Sequence, residues 1–150
     1  MYNDLKKLVR YIILNLHGGE PVVISTLTGI IFLCDAEKRN AGALQSFTNL
    51  PWYMSQYGPF LGFFNDRVVE PNNIILNTEP SYYGGDKTVV SYTAGENDDL
   101  NYDDDDLQIL KRILDQTRDA KYVDLQHMIA ESPAVRNSIE GGQVNLGAEQ

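Results

Sequence analysis

The chain has 150 residues, 43% of them hydrophobic and 22% charged, which is the size and balance of one globular domain and leaves little room for a second. The lone Cys34 excludes an internal disulfide, and the two histidines, His17 and His127, lie too far apart in sequence to suggest a zinc or iron site. The net charge of −9 concentrates in residues 96–150, with thirteen Asp/Glu against five Lys/Arg, and it argues against strong DNA binding, which needs clustered basic residues.

Leu5, Leu8, Val9, Ile12, Ile13 and Leu16 repeat at helical spacing, so a first amphipathic helix is expected, capped by Asn3 and stopped at Gly18-Gly19. Residues 25–40 form a second helix whose first half is apolar nearly all round (Leu27, Ile30, Ile31, Phe32, Leu33, Cys34), the mark of a central helix with neighbours on several sides. Cys34 is therefore expected as a buried small hydrophobe rather than a reactive thiol. The apolar runs 22–27 and 29–36 are too short to span a membrane, and no signal-like leader is visible, so the expected location is the cytoplasm.

From Leu44 to Tyr57 the periodicity fails, and Pro51 with Trp52-Tyr53-Met54 suggests an extended connector or short strand. Gly58-Pro59 is expected to restart a helix, because proline suits the first helical position, with Phe60, Phe63, Phe64 and Val68 on its buried side. Trp52 and Tyr57 flank the irregular segment and are the rings expected to be exposed. Residues 73–78 and 87–93 are rich in Ile, Val, Thr and Tyr and read as a β-hairpin turning at Tyr83-Gly84-Gly85-Asp86.

Residues 96–106 hold seven acidic side chains among eleven and no basic one. They read as a solvated linker whose last carboxylates, in the run 103–106, sit at a helix N-terminus. That run lacks the alternating ligands and glycine of a calcium-binding loop, so no metal is expected. Leu107, Leu110, Ile113 and Leu114 mark a fourth helix, and Val123, Leu125, Met128 and Ile129 a fifth that ends near Pro133. Beyond Ser138 few apolar anchors remain, so the expected layout is one domain over 1–137 and a flexible tail over 138–150. The expected fold is α+β and mainly helical, a winged-helix-like core of about five helices with one β-hairpin.

No Gly-x-Ser-x-Gly elbow, phosphate-binding loop, His-Glu-x-x-His or Gly-x-Gly-x-x-Gly stretch is present. Neither an enzyme nor a cofactor is expected. The stronger signal is aromatic crowding: Phe47, Trp52, Tyr53, Tyr57, Phe60, Phe63 and Phe64 fall within eighteen residues, and aromatic rings dominate both cores and interface hot spots.

The segment Trp52-Tyr53-Met54-Ser55-Gln56-Tyr57-Gly58-Pro59-Phe60, followed by Phe63 and Phe64, resembles the Trp…Tyr-Gly-Pro-Phe…Phe pattern of the Panacea antitoxin-domain family, SocA-like proteins found in phages, prophages and toxin–antitoxin operons. Thr26 to Asp35 is similar to that family's Lys-Leu-x-Lys-Leu-Leu-Tyr-x-x-Asp helix, with Thr26 and Gly29 standing at the two lysine positions and Phe32 at the tyrosine. Residues 104–135 resemble its closing helical pair. The resemblance implies a small, non-enzymatic, mostly helical domain that binds another protein, a toxin or a host factor. The expected binding residues are Trp52, Tyr53, Tyr57, Gly58, Pro59 and Phe60, joined by Asp103, Asp104 and Asp105 of the acidic stretch, with a homodimer as a further assembly. A DNA-binding winged-helix regulator is the competing expectation, and its difficulty is that Arg67 and Lys87 are the only basic residues between Asn40 and Lys111.

Overall fold

The computed structural model describes residues 2–147. It is an α+β fold of six helices and five short strands among those residues. Helix α1 (Asn3–Leu16) forms on the expected stripe: Leu5, Leu8, Val9, Ile12, Ile13 and Leu16 are all buried. Its N-cap is Tyr2 rather than Asn3, and it stops where Gly18 and Gly19 take positive φ. Strand β1 (Val22–Val23) leads into α2 (Ile24–Asn40). As its all-round apolar face requires, α2 packs on α1, α4 (Asp104–Thr117), α5 (Tyr122–Glu131), β1 and β5 (Asp86–Tyr92). Cys34 lies within it, fully buried.

Gly29 permits a close contact between α2 and α5. A Cβ there would stand 3.0 Å from Ile129 Cδ1 and Leu125 Cδ2, so α5 lies directly against the α2 backbone. No lysine could occupy this position with α5 in place.

The expected helix at Gly58-Pro59 does not form. Instead β2 (Tyr53–Ser55) and β3 (Gly58–Phe60) pair antiparallel around a two-residue turn, with Ser55 opposite Gly58 and Met54 opposite Pro59. Two physical reasons favour the strand. Gly58 takes φ of +110°, a conformation that suits glycine and not a helix start. Pro59 sits opposite Met54, whose own backbone N–H and C=O point away from β3, so the missing proline N–H leaves no ladder bond unmade. The following helix α3 is short (Phe64–Val68); Phe64 and Val68 are buried as expected, whereas Phe60 and Phe63 are exposed.

Strands β4 (Ile74–Pro80) and β5 form the expected hairpin, and β1 adds to it through Val22 opposite Val90, giving a three-stranded antiparallel sheet in the order β1-β5-β4. Helix α6 (Pro133–Arg136) follows α5. The expected flexible tail is corrected as far as Gly147. Val144 and Leu146 are buried, the Val144 N–H donates to the Trp52 carbonyl at 2.8 Å, and Met54 exchanges backbone bonds with Gly141 and Gly142. The segment after Ser138 thus clamps the free edge of β2. The last three positions of the expected tail lie outside the described residues.

Candidate protein-binding surface

The site is built on a buried polar anchor. Asp35, in the middle of α2, is fully buried and accepts three hydrogen bonds: from Thr48 N (3.1 Å), Thr48 Oγ1 (2.6 Å) and Trp52 Nε1 (2.9 Å). Burial raises the Asp35 carboxyl above its ordinary range, and the bonds from Thr48 and Trp52 oppose that shift. Trp52 is only 1% exposed and meets Phe32 edge to face at 5.1 Å. The expectation that Trp52 is an exposed contact residue is therefore overturned. A buried carboxylate gives its indole N–H a partner, and the ring fixes the start of β2 to the core.

From that anchor the hairpin projects its rings. Ser55 Oγ donates to the Gly58 carbonyl at 2.8 Å and accepts from Tyr57 N at 3.1 Å, closing the turn and leaving Tyr57 84% exposed. Tyr53 and Phe60 face each other across the strands, ring centroids 6.2 Å apart, each about 40% exposed. Between the turn and helices α5 and α6 lies a groove of about 460 Å³, lined chiefly by Met54, Tyr57, Pro59, Tyr122, Ile129 and Val135, with no charged side chain on its walls. A smaller hollow shares Tyr57, Pro59, Tyr122 and Ile129 with it and reaches Thr28 and Gly29 on α2. Just beyond the hairpin, Phe63 is 78% exposed with φ of 55°. A bulky ring held in the left-handed region and given to solvent adds nothing to the core.

The acidic half of the expected site stands elsewhere. Asp103 caps α4 by accepting from Asp106 N at 2.8 Å, and Asp104 and Asp105 are exposed in the first turn. The hollow beside Asp103 and Asp105 is lined by Lys38, Ala41, Ala43 and Arg112 and by no residue of 52–60. The structure therefore brings Tyr53, Tyr57, Gly58, Pro59 and Phe60 together and leaves the three aspartates apart from them.

Tyr122, half exposed on the far rim of the groove, was not legible as a site residue, because its approach to Tyr57 depends on how α5 packs. Tyr82 and Tyr83, both 93% exposed at the tip of the β4–β5 hairpin, carried a signal: aromatic residues beside a Gly-Gly turn have no core to enter. His17 and His127 are both exposed, on α1's C-terminal end and on α5. Burial pushes the Cys34 thiol well above its ordinary pKa. Among the described residues no three His, Cys, Asp or Glu side chains are grouped to hold a metal ion, and no helix is long and apolar enough to cross a membrane.

No protein-family model, curated protein or solved structure matches the chain.

Proposed function

We propose that this protein is a non-enzymatic protein-binding module of the antitoxin type, a neutraliser that holds a toxin or host factor on the face formed by the β2–β3 hairpin and α5. The observation that carries this reading is the uncharged apolar groove rimmed by Tyr57 and Tyr122. A rigid hairpin carrying exposed rings beside such a groove matches the anatomy of interface hot spots. The matching partner feature is an aliphatic or aromatic side chain on an uncharged surface, since a charge placed in this groove would lose water and find no counter-ion. The Gly-Pro-Phe resemblance to the Panacea family falls on the same hairpin and supports the same reading.

The test is copurification of tagged protein from the cell that encodes it. A stoichiometric partner is expected, lost in the Tyr57→Ala/Tyr122→Ala double variant and retained when Asp104 and Asp105 are changed to Asn. Retention by the tyrosine variant, or loss by the aspartate variant, would place the interface elsewhere.

A winged-helix DNA-binding regulator is the second reading. It is supported by a strand lying between the first two helices that joins the later hairpin in the order β1-β5-β4. Charge opposes it: the hairpin carries Lys87 against Glu79 and Asp86, and Arg67 lies over the ring of Tyr2. A gel shift at low salt decides this, because phosphate contacts are strongest there.

A further inference from the structure

On a different part of the surface, sharing no lining residue with the groove, the last turn of α2 places Arg39 in a pocket of about 510 Å³ beside the Trp52 anchor and the clamping segment after Ser138. Half-buried cations elsewhere in this protein are all engaged. Lys6, Lys7, Arg10, Lys38 and Arg118 each meet a carboxylate, and Arg67 lies over an aromatic ring. Arg39 is the exception among the described residues: it has no ion pair, and its Nε is buried with no hydrogen-bond partner. A planar, permanently charged donor group left unpaired inside a pocket is costly unless something is meant to meet it.

The rest of the pocket describes that something. No Asp or Glu lines it. Asn145 Oδ1 accepts from Gly147 N at 3.2 Å, which leaves the amide nitrogen of Asn145 free to donate. Ser46 Oγ accepts from Asn49 N at 3.1 Å, and its own proton remains free to donate. Leu50 and Leu146 supply apolar wall. One fixed positive charge, neutral donors and aliphatic wall fit a monoanion with a short apolar stem. A phosphate dianion fits poorly, since one cation would face two charges in a protein of net charge −9.

We propose that this pocket binds a carboxylate bearing a short aliphatic stem, held in a two-bond fork by the Arg39 guanidinium. Such a group is supplied either by a free small acid or by the C-terminus of a peptide, and the pocket's volume lies in the range of small-ligand sites.

The experiment is a titration of the intact protein followed by two signals, the Arg39 Nε–H cross-peak in ¹⁵N NMR and the fluorescence of Trp52, the chain's single tryptophan and a lining residue of this pocket. The probes are N-acetyl-leucine, acetyl-Ala-Ala-Leu with a free C-terminus, N-acetyl-leucinamide and inorganic phosphate, all at matched ionic strength. Saturable shifts are expected with the two acids at millimolar concentration and none with the amide. Tighter binding of the tripeptide identifies a chain terminus as the source, and equal or weaker binding a free acid.

Arg39→Gln is expected to weaken N-acetyl-leucine binding by at least about tenfold. Gly147→Ala is the second variant, because its new Cβ would lie 2.8 Å from Arg39 Nη2 and must push the guanidinium aside while the charge and the fold stay intact. It is expected to weaken binding without lowering the melting temperature. Equal shifts from acid and amide, phosphate binding as tightly as the acid, or unchanged affinity in both variants would each overturn the proposal.

Discussion

Trp52→Phe separates the two roles that the aromatic segment could give this ring. It removes the Nε1–H bond to the buried Asp35 carboxylate and leaves a smaller ring against Phe32. A hydrogen bond to a charged group contributes about 1.5–3 kcal/mol. The void left by the smaller ring adds about 1 kcal/mol. The expected loss is therefore about 3 kcal/mol, or about 10 °C in melting temperature for a chain of this length. Urea unfolding followed by far-ultraviolet circular dichroism measures it, since the variant has no tryptophan to report. Tyr57→Ala, at an 84% exposed site, should cost no more than about 0.5 kcal/mol. Thr48→Val completes a double-mutant cycle: Thr48 Oγ1 and Trp52 Nε1 both donate to Asp35 Oδ2, so their losses should be non-additive by about 1 kcal/mol. Trp52→Phe as stable as wild type, or strict additivity with Thr48→Val, would refute the anchor.

Gly29→Ala should change stability by less than about 1 kcal/mol, because a gain in helix propensity offsets a tight contact, whereas Gly29→Leu should lose about 3 kcal/mol by driving α5 off α2; thermal unfolding of the two variants checks this. Two carboxyls should shape the pH profile with opposite signs. Asp35 holds its proton more readily folded than unfolded, so stability falls as pH rises from the ordinary carboxylate range through its raised value, and Asp35→Asn should remove that slope. Asp98 is held below the ordinary range, first by the Gly95 N–H and then by the Tyr92 hydroxyl. Its contribution is complete above that range and disappears as pH falls through the lowered value, so Asp98→Asn should flatten the acid limb of a urea-midpoint profile.

The helices that were legible in the sequence are those whose own residues decide them. Leu5 to Leu16 repeats over three turns, and the apolar block around Ile30 and Phe32 admits only a central helix. Where structure depends on a distant partner, the local signal misled. Gly58-Pro59 suits a helix start in isolation; the strand becomes preferable only because Met54 turns its backbone toward Gly141 and Gly142, more than eighty residues away in the chain. Val144 and Leu146 alternate like a strand for too few residues to be heard above the surrounding Gly, Asn and Gln. The same distance hid the role of Trp52, whose burial requires Asp35 seventeen residues earlier. Arg39 was invisible as a site residue because what distinguishes it is the absence of a partner.

The acidic stretch 96–106 looks like free surface in sequence and acts as a seam in the fold. Asp98 accepts from Asn73 Nδ2, Tyr92 Oη and Gly95 N and lies 3.8 Å from Arg10 Nε, tying the β4–β5 hairpin to α1. Asp99 pairs with Lys7, which also covers the ring of Tyr102, and that ring packs edge-on against Tyr11 and Phe47. Asp103 caps α4, and Asp106 pairs with Lys38. Of the seven acidic residues, Asp98 and Asp106 are half-buried; Asp99 and Asp103 are exposed but engaged, by Lys7 and by the N-terminus of α4, and Glu96, Asp104 and Asp105 are exposed. Neutralising the run should therefore act on stability in two unequal parts. Asp104→Asn with Asp105→Asn should cost about 1 kcal/mol through the helix dipole alone. Asp98→Asn with Asp106→Asn should cost about 2 kcal/mol, because each removes one side of a partly shielded ionic or charge-assisted contact. If the Asp98→Asn/Asp106→Asn variant unfolds at the same urea concentration as wild type, the stretch is the free charged surface that its composition suggests, and the seam is wrong.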